Sequence, residues 1–250
     1  MKRPVKILII LLGAVALAVL VVVANVTRSR ATVRGIEVNI RYGRVPELVN
    51  GQTVRDSILT AIPALMQQQV GRVDRQEVAE AAARVPYLKD VQASMSVSGK
   101  VVVRARQRRP IARLYYNAKE LYFDAEGSLM PATGSCNVLV AGGDFTEPLR
   151  PDSLNAQMID LLQLASFLDR EEKYGCLIDQ IFIESDRDVM MVPKLGNHVV
   201  ELGHVENLDE KFSNLLTFYR KGMPRAGWDT YSRISLKYHN QVVCTKNETK

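Results

Sequence analysis

Asp124 and Glu126 are two carboxylates separated by one residue, and such a pair could serve general acid–base chemistry. A glycosidase needs two carboxyl groups that face each other across a cleft. Here the pair belongs to the stretch 124–127, Asp-Ala-Glu-Gly, in which Asp and Gly favour turn conformations. We therefore predict a turn at this position. Because the sequence contains no GxSxG motif and no P-loop either, we predict that the protein is not an enzyme.

Cysteine and histidine give no metal-binding or nucleophilic pattern. The chain has three cysteines, Cys136, Cys176 and Cys244. They form no CxxC pair and allow at most one disulfide, so buried or lone thiols are expected. The three histidines are His198, His204 and His239, and no HExxH spacing occurs. We predict no metal and no cofactor.

Arginines crowd into the stretch 101–116, VVVRARQRRPIARLYY. They are Arg104, Arg106, Arg108, Arg109 and Arg113. Such a run could bind nucleic acid or acidic lipid, or it could be the solvent face of a strand. Since side chains alternate along a strand, Arg104, Arg106 and Arg108 are expected to share one wet face. This face could also contact the membrane or a partner protein.

The beginning of the chain indicates the compartment. Residues 7–24 are wholly apolar, and basic residues stand on both sides of them. We predict an uncleaved transmembrane helix at 7–24, a cytoplasmic tail at 1–6 and the rest of the chain outside the cytoplasm. A signal peptide cleaved after Ala24 is the alternative. Either arrangement excludes nucleic acid as a partner. With 250 residues, 24% charged residues and a net charge of +6, the remainder is ordinary globular sequence.

Residues 31–109 predict a small domain with the element order β-α-α-β-β. A second helix with Asp74 as its N-cap and Glu77 in the capping-box position should end at Pro86. Ser98-Gly99 predicts a hairpin between the last two strands. The order is typical of a POTRA domain. The predicted strands are 33–40, 91–97 and 100–108, and the first helix is 54–69 with a break at Pro63.

Residues 110–246 predict a β-rich domain with two helices, so the fold class is α+β throughout. Pro110 is expected to mark the joint between the domains, and residues 247–250 are expected to be a disordered tail. In the last stretch, Ile234, Leu236 and Tyr238 alternate with polar residues. We predict a strand there, at a sheet edge that could accept a partner's strand. The predicted helices are 153–170 and 208–221, and further strands are 180–185, 188–195 and 198–203.

Four segments in this order resemble the FtsQ/DivIB family of bacterial cell-division proteins. They are VPYLKDVQASMSVSGKVVVRARQRRPIA (85–112), YFDAEGSLMP (122–131), NHVVELG (197–203) and WDTYSRISLKYHNQVVCTK (228–246). Two details depart from the family pattern: Gln107 stands where Glu is frequent, and a longer loop, 41–52, follows the first strand. A periplasmic POTRA-type component of an assembly or secretion route is the alternative.

The resemblance implies a divisome scaffold rather than a catalyst. Such a protein would cross the inner membrane once at the division septum, with most of the chain periplasmic. It would bind FtsB- and FtsL-like proteins and through them influence the septal peptidoglycan synthase complex. A family arginine that holds FtsB would correspond to a position at or near Arg187. The other partner-binding residues implied are Ile234, Leu236, Lys237, Tyr238, Gln241, Val242 and Val243.

Overall fold

The computed structural model describes residues 12–20, 30–134, 136–146 and 154–247, and residues 12–20 are helical. The chain forms two compact units, Met1–Arg108 and Arg109–Lys250. The predicted tail 1–6 and both ends of the predicted span 7–24 lie outside the described residues, as does most of the predicted tail 247–250. Within the described ranges, no helix combines the length and the apolar character needed to cross a membrane.

The first unit is a three-stranded sheet covered on one face by helices. Strand β3 is central, β1 runs parallel to it, and β2 runs antiparallel to it. Two short 3-10 turns separate the helices. The elements are β1 (Ile36–Arg41), α1 (Gly51–Ala61), 3-10 turns at Leu65–Gln67 and Val70–Arg72, α2 (Arg75–Ala83), β2 (Leu88–Met95) and β3 (Val101–Gln107).

Local sequence signals explain these boundaries. The Asp74 carboxylate accepts hydrogen bonds from the backbone N–H groups of Gln76 and Glu77, so the predicted N-cap of α2 is confirmed. Helix α1 ends at Ala61, two residues before Pro63, which cannot continue it. Gly99 has a φ of +81°, a conformation that suits glycine, and it lies in the turn between β2 and β3.

The core of the first unit lies between the helices and the inner face of β3. Val54 and Ile58 of α1, and Val78 of α2, are buried against Val101 and Val103. The alternating burial of β3 leaves Arg104 and Arg106 on the opposite, uncovered face. A strand with one apolar and one wet face therefore accounts for most of the arginine spacing.

The second unit is a nine-stranded mixed sheet in the order β12-β11-β10-β9-β8-β7-β4-β5-β6. The pairs β4–β7, β7–β8 and β10–β11 are parallel, and the others are antiparallel. The elements are β4 (Pro110–Tyr116), β5 (Lys119–Asp124), β6 (Leu129–Pro131), β7 (Leu139–Gly143), α3 (Ala156–Arg170), α4 (Glu172–Gly175), β8 (Ile178–Ile183), β9 (Val189–Pro193), β10 (Val199–Gly203), α5 (Leu208–Lys221), α6 (Met223–Ala226), β11 (Tyr231–Ser235) and β12 (Val243–Lys246).

Helices α3 and α5 pack on one face of this sheet. Leu161 of α3 and Phe212 of α5 are fully buried with Ile181, Met191 and Ile234 of the strands below them. The bounds of α5 are those predicted, whereas α3 begins at residue 156 rather than 153. Asn155 determines this start, because its side chain accepts a hydrogen bond from the N–H of Met158.

The end of the chain differs from the prediction. The expected strand through Tyr238 ends at Ser235, and it lies inside the sheet between β10 and β12. The chain then turns at Asn240, which has a φ of +56°, and returns as β12. The edge strand is therefore Val243–Lys246 and not the stretch that contains Leu236 and Tyr238.

Candidate functional site

Strand β12 forms one end of the nine-stranded sheet. It pairs antiparallel with β11, with Cys244 opposite Ile234 and Val243 opposite Ser235. Among the described strands, none pairs with its other side. The opposite end of the sheet, β6, has three residues and finishes at Pro131, a short edge of the kind that resists further pairing. Strand β12 contains no proline and is the better acceptor for another strand.

The backbone of β12 can be assigned an inner and an outer side. The N–H of Asn247 donates to the carbonyl of Thr230 at 3.0 Å, which directs it towards β11. Because N–H direction alternates along a strand, the N–H groups of Cys244 and Lys246 point away from β11. The irregularity in this pair falls between Tyr231 and Arg233, so the alternation along β12 is preserved. The outer side of β12 thus offers two hydrogen-bond donors.

The loop 236–242, which leads into β12, is fixed from two directions; we call it the edge loop. Lys237 Nζ lies 2.5 Å from Asp188 Oδ2 in the β8–β9 turn. The backbone N–H of Asn240 donates to Glu210 Oε1 of α5 at 2.9 Å, and His239 Nδ1 lies 3.0 Å from the same oxygen. These two carboxylates hold the loop in the position from which β12 begins.

Gly203 allows Lys237 to reach its partner. A Cβ at Gly203, which has a φ of +70°, would lie 2.9 Å from Lys237 Cγ. Lys211 stabilises the same end of β10, because its Nζ donates to the carbonyls of Leu202 and His204 at 2.9 and 2.8 Å. Burial lowers the pKa of Lys211, but its ammonium group keeps these two acceptors.

The predicted partner residues divide into two groups. Ile234 and Leu236 are buried in the core, so their side chains cannot touch a partner. Tyr238 and Val243 are 58% and 44% exposed, and they lie on the edge loop and on β12. Lys237 and Gln241 are also exposed, and Val242 is half-buried. The structure therefore leaves these five predicted partner residues at least partly exposed, but it buries Ile234 and Leu236, which the predicted edge strand had placed within reach of a partner.

Arg187 lies in the β8–β9 turn with a φ of +72°. Its guanidinium binds the carboxylate of Asp160 on α3 through two hydrogen bonds, Nε to Oδ2 at 2.6 Å and Nη2 to Oδ1 at 2.8 Å. The next residue, Asp188, binds Lys237, so this turn is connected to the edge loop through Asp188 rather than through Arg187. The two parallel N–H donors of the Arg187 guanidinium are thus already bound to a carboxylate within the protein.

A groove of about 300 Å³ lies beside β12 on the helical side of the sheet. Phe218 of α5 and Val242 of the edge loop form its apolar part, and Asn214, Lys221 and Asn240 provide polar groups. Sequence reasoning missed it because its two walls are almost twenty residues apart in the chain. A strand added to β12 would place alternate side chains on this face of the sheet.

The three arginines that the sequence predicts on one face of the first sheet differ in their surroundings. Arg104 and Arg106 are exposed on the uncovered face of β3, and Arg41 of β1 lies opposite Arg106. Arg108, which the sequence predicts on the same face, is half-buried just beyond the strand. Strand β3 ends at Gln107, and Arg108 Nε donates to the carbonyl of Leu88 at 3.1 Å.

Two groups of acidic residues stand out in the described part of the chain: the turn at 124–127 and a cluster in the β8–β9 turn. Asp124 is buried, and its Oδ1 accepts the N–H groups of Glu126 and Ser128, which confirms the predicted turn. Glu184, Asp186 and Asp188 bring carboxylate oxygens within 4.8 Å of one another. We assign no metal there, because Asp188 is already bound to Lys237. The three cysteines are free thiols.

His198 is buried beneath the turn that joins β9 to β10. Its Nε2 lies 2.6 Å from the Tyr219 hydroxyl, and its Nδ1 has no hydrogen-bond partner in the described part of the chain. Burial lowers the pKa of His198 below its ordinary value of 6.5. The fold therefore favours the neutral imidazole, and burial also raises the pKa of Tyr219.

The stability of the second unit should consequently fall in mild acid. The unfolded chain binds a proton on this imidazole near pH 6.5, whereas the folded chain resists it, so the contribution of His198 is present above that pH and is lost below it. Urea unfolding between about pH 7.5 and about pH 5.5, followed by the fluorescence of Trp228 beside Tyr219, should show this loss. In His198→Gln the pH dependence should be weaker; an identical slope would contradict the assignment.

The comparison with known families addresses the second unit. The family model described as FtsQ/DivIB, C-terminal related, matches residues 109–245, more than half of the chain. The match covers the nine-stranded sheet, the edge loop and almost all of β12. No characterised protein of similar sequence was found. The match confirms the resemblance read from the sequence and indicates a cell-division protein, and the members of this family are non-catalytic division scaffold proteins. The chain therefore belongs to the FtsQ/DivIB C-terminal related family.

Proposed function

We propose that this protein is a divisome scaffold that binds FtsB- and FtsL-type division proteins by adding a partner strand to β12. The observation that carries the proposal is the open outer side of β12, where the N–H groups of Cys244 and Lys246 point away from the sheet. Main-chain hydrogen bonds along such an edge provide affinity with little dependence on sequence.

Side chains next to the edge would provide selectivity. Tyr238 places an exposed aromatic ring on the edge loop, and exposed tyrosines are frequent hot spots of protein interfaces. Val243 is exposed at the start of β12. The groove at Phe218 and Val242 has an apolar floor that could take one apolar side chain of the added strand. Arg187 would support this surface through its neighbour Asp188 rather than by direct contact.

The rest of the chain would place this edge at the septum. We propose that residues 7–24 anchor the protein in the inner membrane, with both units outside the cytoplasm. The β-α-α-β-β order of the first unit supports a POTRA-like domain. Binding of FtsB- and FtsL-type proteins would then connect the scaffold to the septal peptidoglycan synthase complex.

Tyr238→Ala should weaken binding of the extracytoplasmic segment of an FtsB-type protein by about tenfold or more, because a central interface tyrosine contributes strongly. The full chain in nanodiscs would be titrated with that segment by fluorescence anisotropy. Tyr115→Ala is the matched control, since Tyr115 is 46% exposed on β4 of the same unit, well away from β12 in the strand order. Equal affinities for Tyr238→Ala and the unaltered chain, with the fold intact, would refute the role of Tyr238.

Depletion of the protein in cells distinguishes the proposed function from its alternative. Filamentous or chained cells are expected if the protein scaffolds division. Normal septation together with defects in outer-membrane proteins would instead support an assembly or secretion role and would overturn the proposal.

A further inference from the structure

The two units carry opposite balances of charge. Residues 31–108 contain 12 Lys and Arg against 7 Asp and Glu, whereas residues 109–250 contain 16 against 20. Such an asymmetry within one chain indicates that the basic part meets an anionic surface. The first unit therefore differs from the second in the kind of surface that it could contact.

Three arginines are gathered on the uncovered face of the first sheet, and we call Arg41, Arg104 and Arg106 the arginine face. Arg41 and Arg106 are direct cross-strand neighbours on β1 and β3. Arg104 lies two residues before Arg106 on the same side of β3. The surface around them is an open concavity of about 590 Å³. Three side chains from two adjacent strands thus project into one shallow recess.

Most of this positive charge is not neutralised by the residues that the structure describes. Arg106 Nη1 lies 3.2 Å from Asp90 Oδ2, and both side chains are more than half exposed. Arg104 makes only a weak contact with the Ser94 hydroxyl at 3.5 Å. In the described part of the chain, neither Arg41 nor Arg104 has a carboxylate partner. Two guanidinium groups remain able to bind an anion.

We propose that the arginine face binds the phosphate headgroups of anionic phospholipids in the bilayer that holds the chain. The inference rests on the proposed anchor at residues 7–24. Guanidinium groups bind phosphate oxygens in pairs of hydrogen bonds, which matches this chemistry. In the sequence, the basic residues Arg28, Arg30 and Arg34 add further positive charge between the proposed anchor and β1.

The tether brings the headgroups within reach. Residue 24 and Arg41 are separated by 17 residues, and an extended chain covers about 3.3–3.6 Å per residue. Binding to the same bilayer would then be intramolecular, so weak contacts suffice. An acidic segment of another protein would need to arrive from solution. The headgroup is therefore the occupant that we favour.

Energy transfer in nanodiscs tests the proposal with the full chain. A donor dye is placed by Gln92→Cys, in a chain carrying Cys176→Ser and Cys244→Ser, and the acceptor is on lipid headgroups. Gln92 lines the recess, and Cys136 is too buried to label. Transfer should be higher in discs of phosphatidylglycerol with phosphatidylcholine than in phosphatidylcholine alone, and salt should reduce the difference. A dye at Ala83→Cys, on α2, should respond less.

Two triple variants separate the arginine face from net charge. Arg41→Gln, Arg104→Gln and Arg106→Gln together should abolish the extra transfer, since each arginine near an anionic surface contributes about fivefold to the docking equilibrium. The matched control removes three exposed arginines near α2, Arg72→Gln, Arg75→Gln and Arg84→Gln. Retained transfer in the control supports the proposal.

Three results would overturn the headgroup contact. Equal energy transfer in both kinds of disc would mean that the arginine face does not bind anionic headgroups, and an acidic protein segment would then be the better candidate. An equal loss of the extra energy transfer in both triple variants would show that net charge, and not the arginine face, causes it. A chain that separates from the disc during gel filtration would refute the anchor, and with it the headgroup contact. Binding of the FtsB-type segment, measured on chains that carry the arginine replacements but keep Cys176 and Cys244, reports on the proposed scaffold function independently of all three results.

Discussion

Replacing Lys246 with proline is expected to weaken binding of an FtsB-type strand by about tenfold or more, with the fold intact. The N–H of Lys246 points away from β11, so its loss removes a donor to the added strand and leaves the β11–β12 ladder unchanged. The proline ring would also obstruct the approach of the partner backbone. Proline is tolerated at edge strands where the missing N–H faces solvent, so the free protein should still fold.

Two variants at neighbouring positions make this test specific. Lys246→Ala removes the same exposed side chain but keeps the N–H, so its affinity should stay close to that of the unaltered chain. Thr245→Pro removes an N–H that points towards β11 and should instead destabilise β12 itself. Anisotropy titrations give the affinities, and circular dichroism reports the fold. Undiminished binding by a folded Lys246→Pro chain would exclude strand addition at β12.

The elements of the first unit follow closely from its sequence. Asp74 with Glu77, Pro63 and Gly99 are local signals, and each acts through its own backbone neighbours. The same holds for α5, whose amphipathic stripe of Leu, Phe and Tyr runs without interruption from Leu208 to Lys221. Where a helix or turn depends on local hydrogen bonding and periodicity, a single sequence is enough to predict it.

The free edge at β12 is harder to predict because it depends on contacts between distant residues. Leu236 and Tyr238 continue the alternation of β11 in sequence, but Lys237 is bound by Asp188 and the Asn240 N–H by Glu210. These contacts separate the edge loop from the strand. Asn240 is a local sign of the turn that divides this segment into β11 and β12, because asparagine tolerates a positive φ in turns.

The arginine run shows the same limit in the first unit. Period-two alternation places Arg104 and Arg106 together, as the structure has them. It cannot show that β3 ends at Gln107 and that Arg108 folds back to the carbonyl of Leu88. Nor does it bring Arg41 opposite Arg106, because the register of a parallel pair is determined by packing across the sheet.

Phe212→Ala is expected to lower the free energy of unfolding of the second unit by about 3–5 kcal/mol. The Phe212 ring is fully buried, and its centroid lies 5.4 Å from those of Phe167 and Tyr174. Truncation would leave a cavity between α3, α4 and α5 that a well-packed core cannot easily close. Because Glu210 on the same helix holds the edge loop, binding of the FtsB-type segment should weaken as well.

The position of Phe212, not its residue type, should determine this loss. Phe182→Ala makes the same change on the uncovered face of the same sheet, where the side chain is 42% exposed, so its cost should be about 1 kcal/mol or less. The loss in the free energy of unfolding for Phe212→Leu should fall between these two values, and this variant keeps the test usable if Phe212→Ala does not fold. Urea unfolding followed by Trp228 fluorescence measures all three. Similar losses for Phe212→Ala and Phe182→Ala would contradict the packing of α5 on the sheet, on which the position of the edge loop depends.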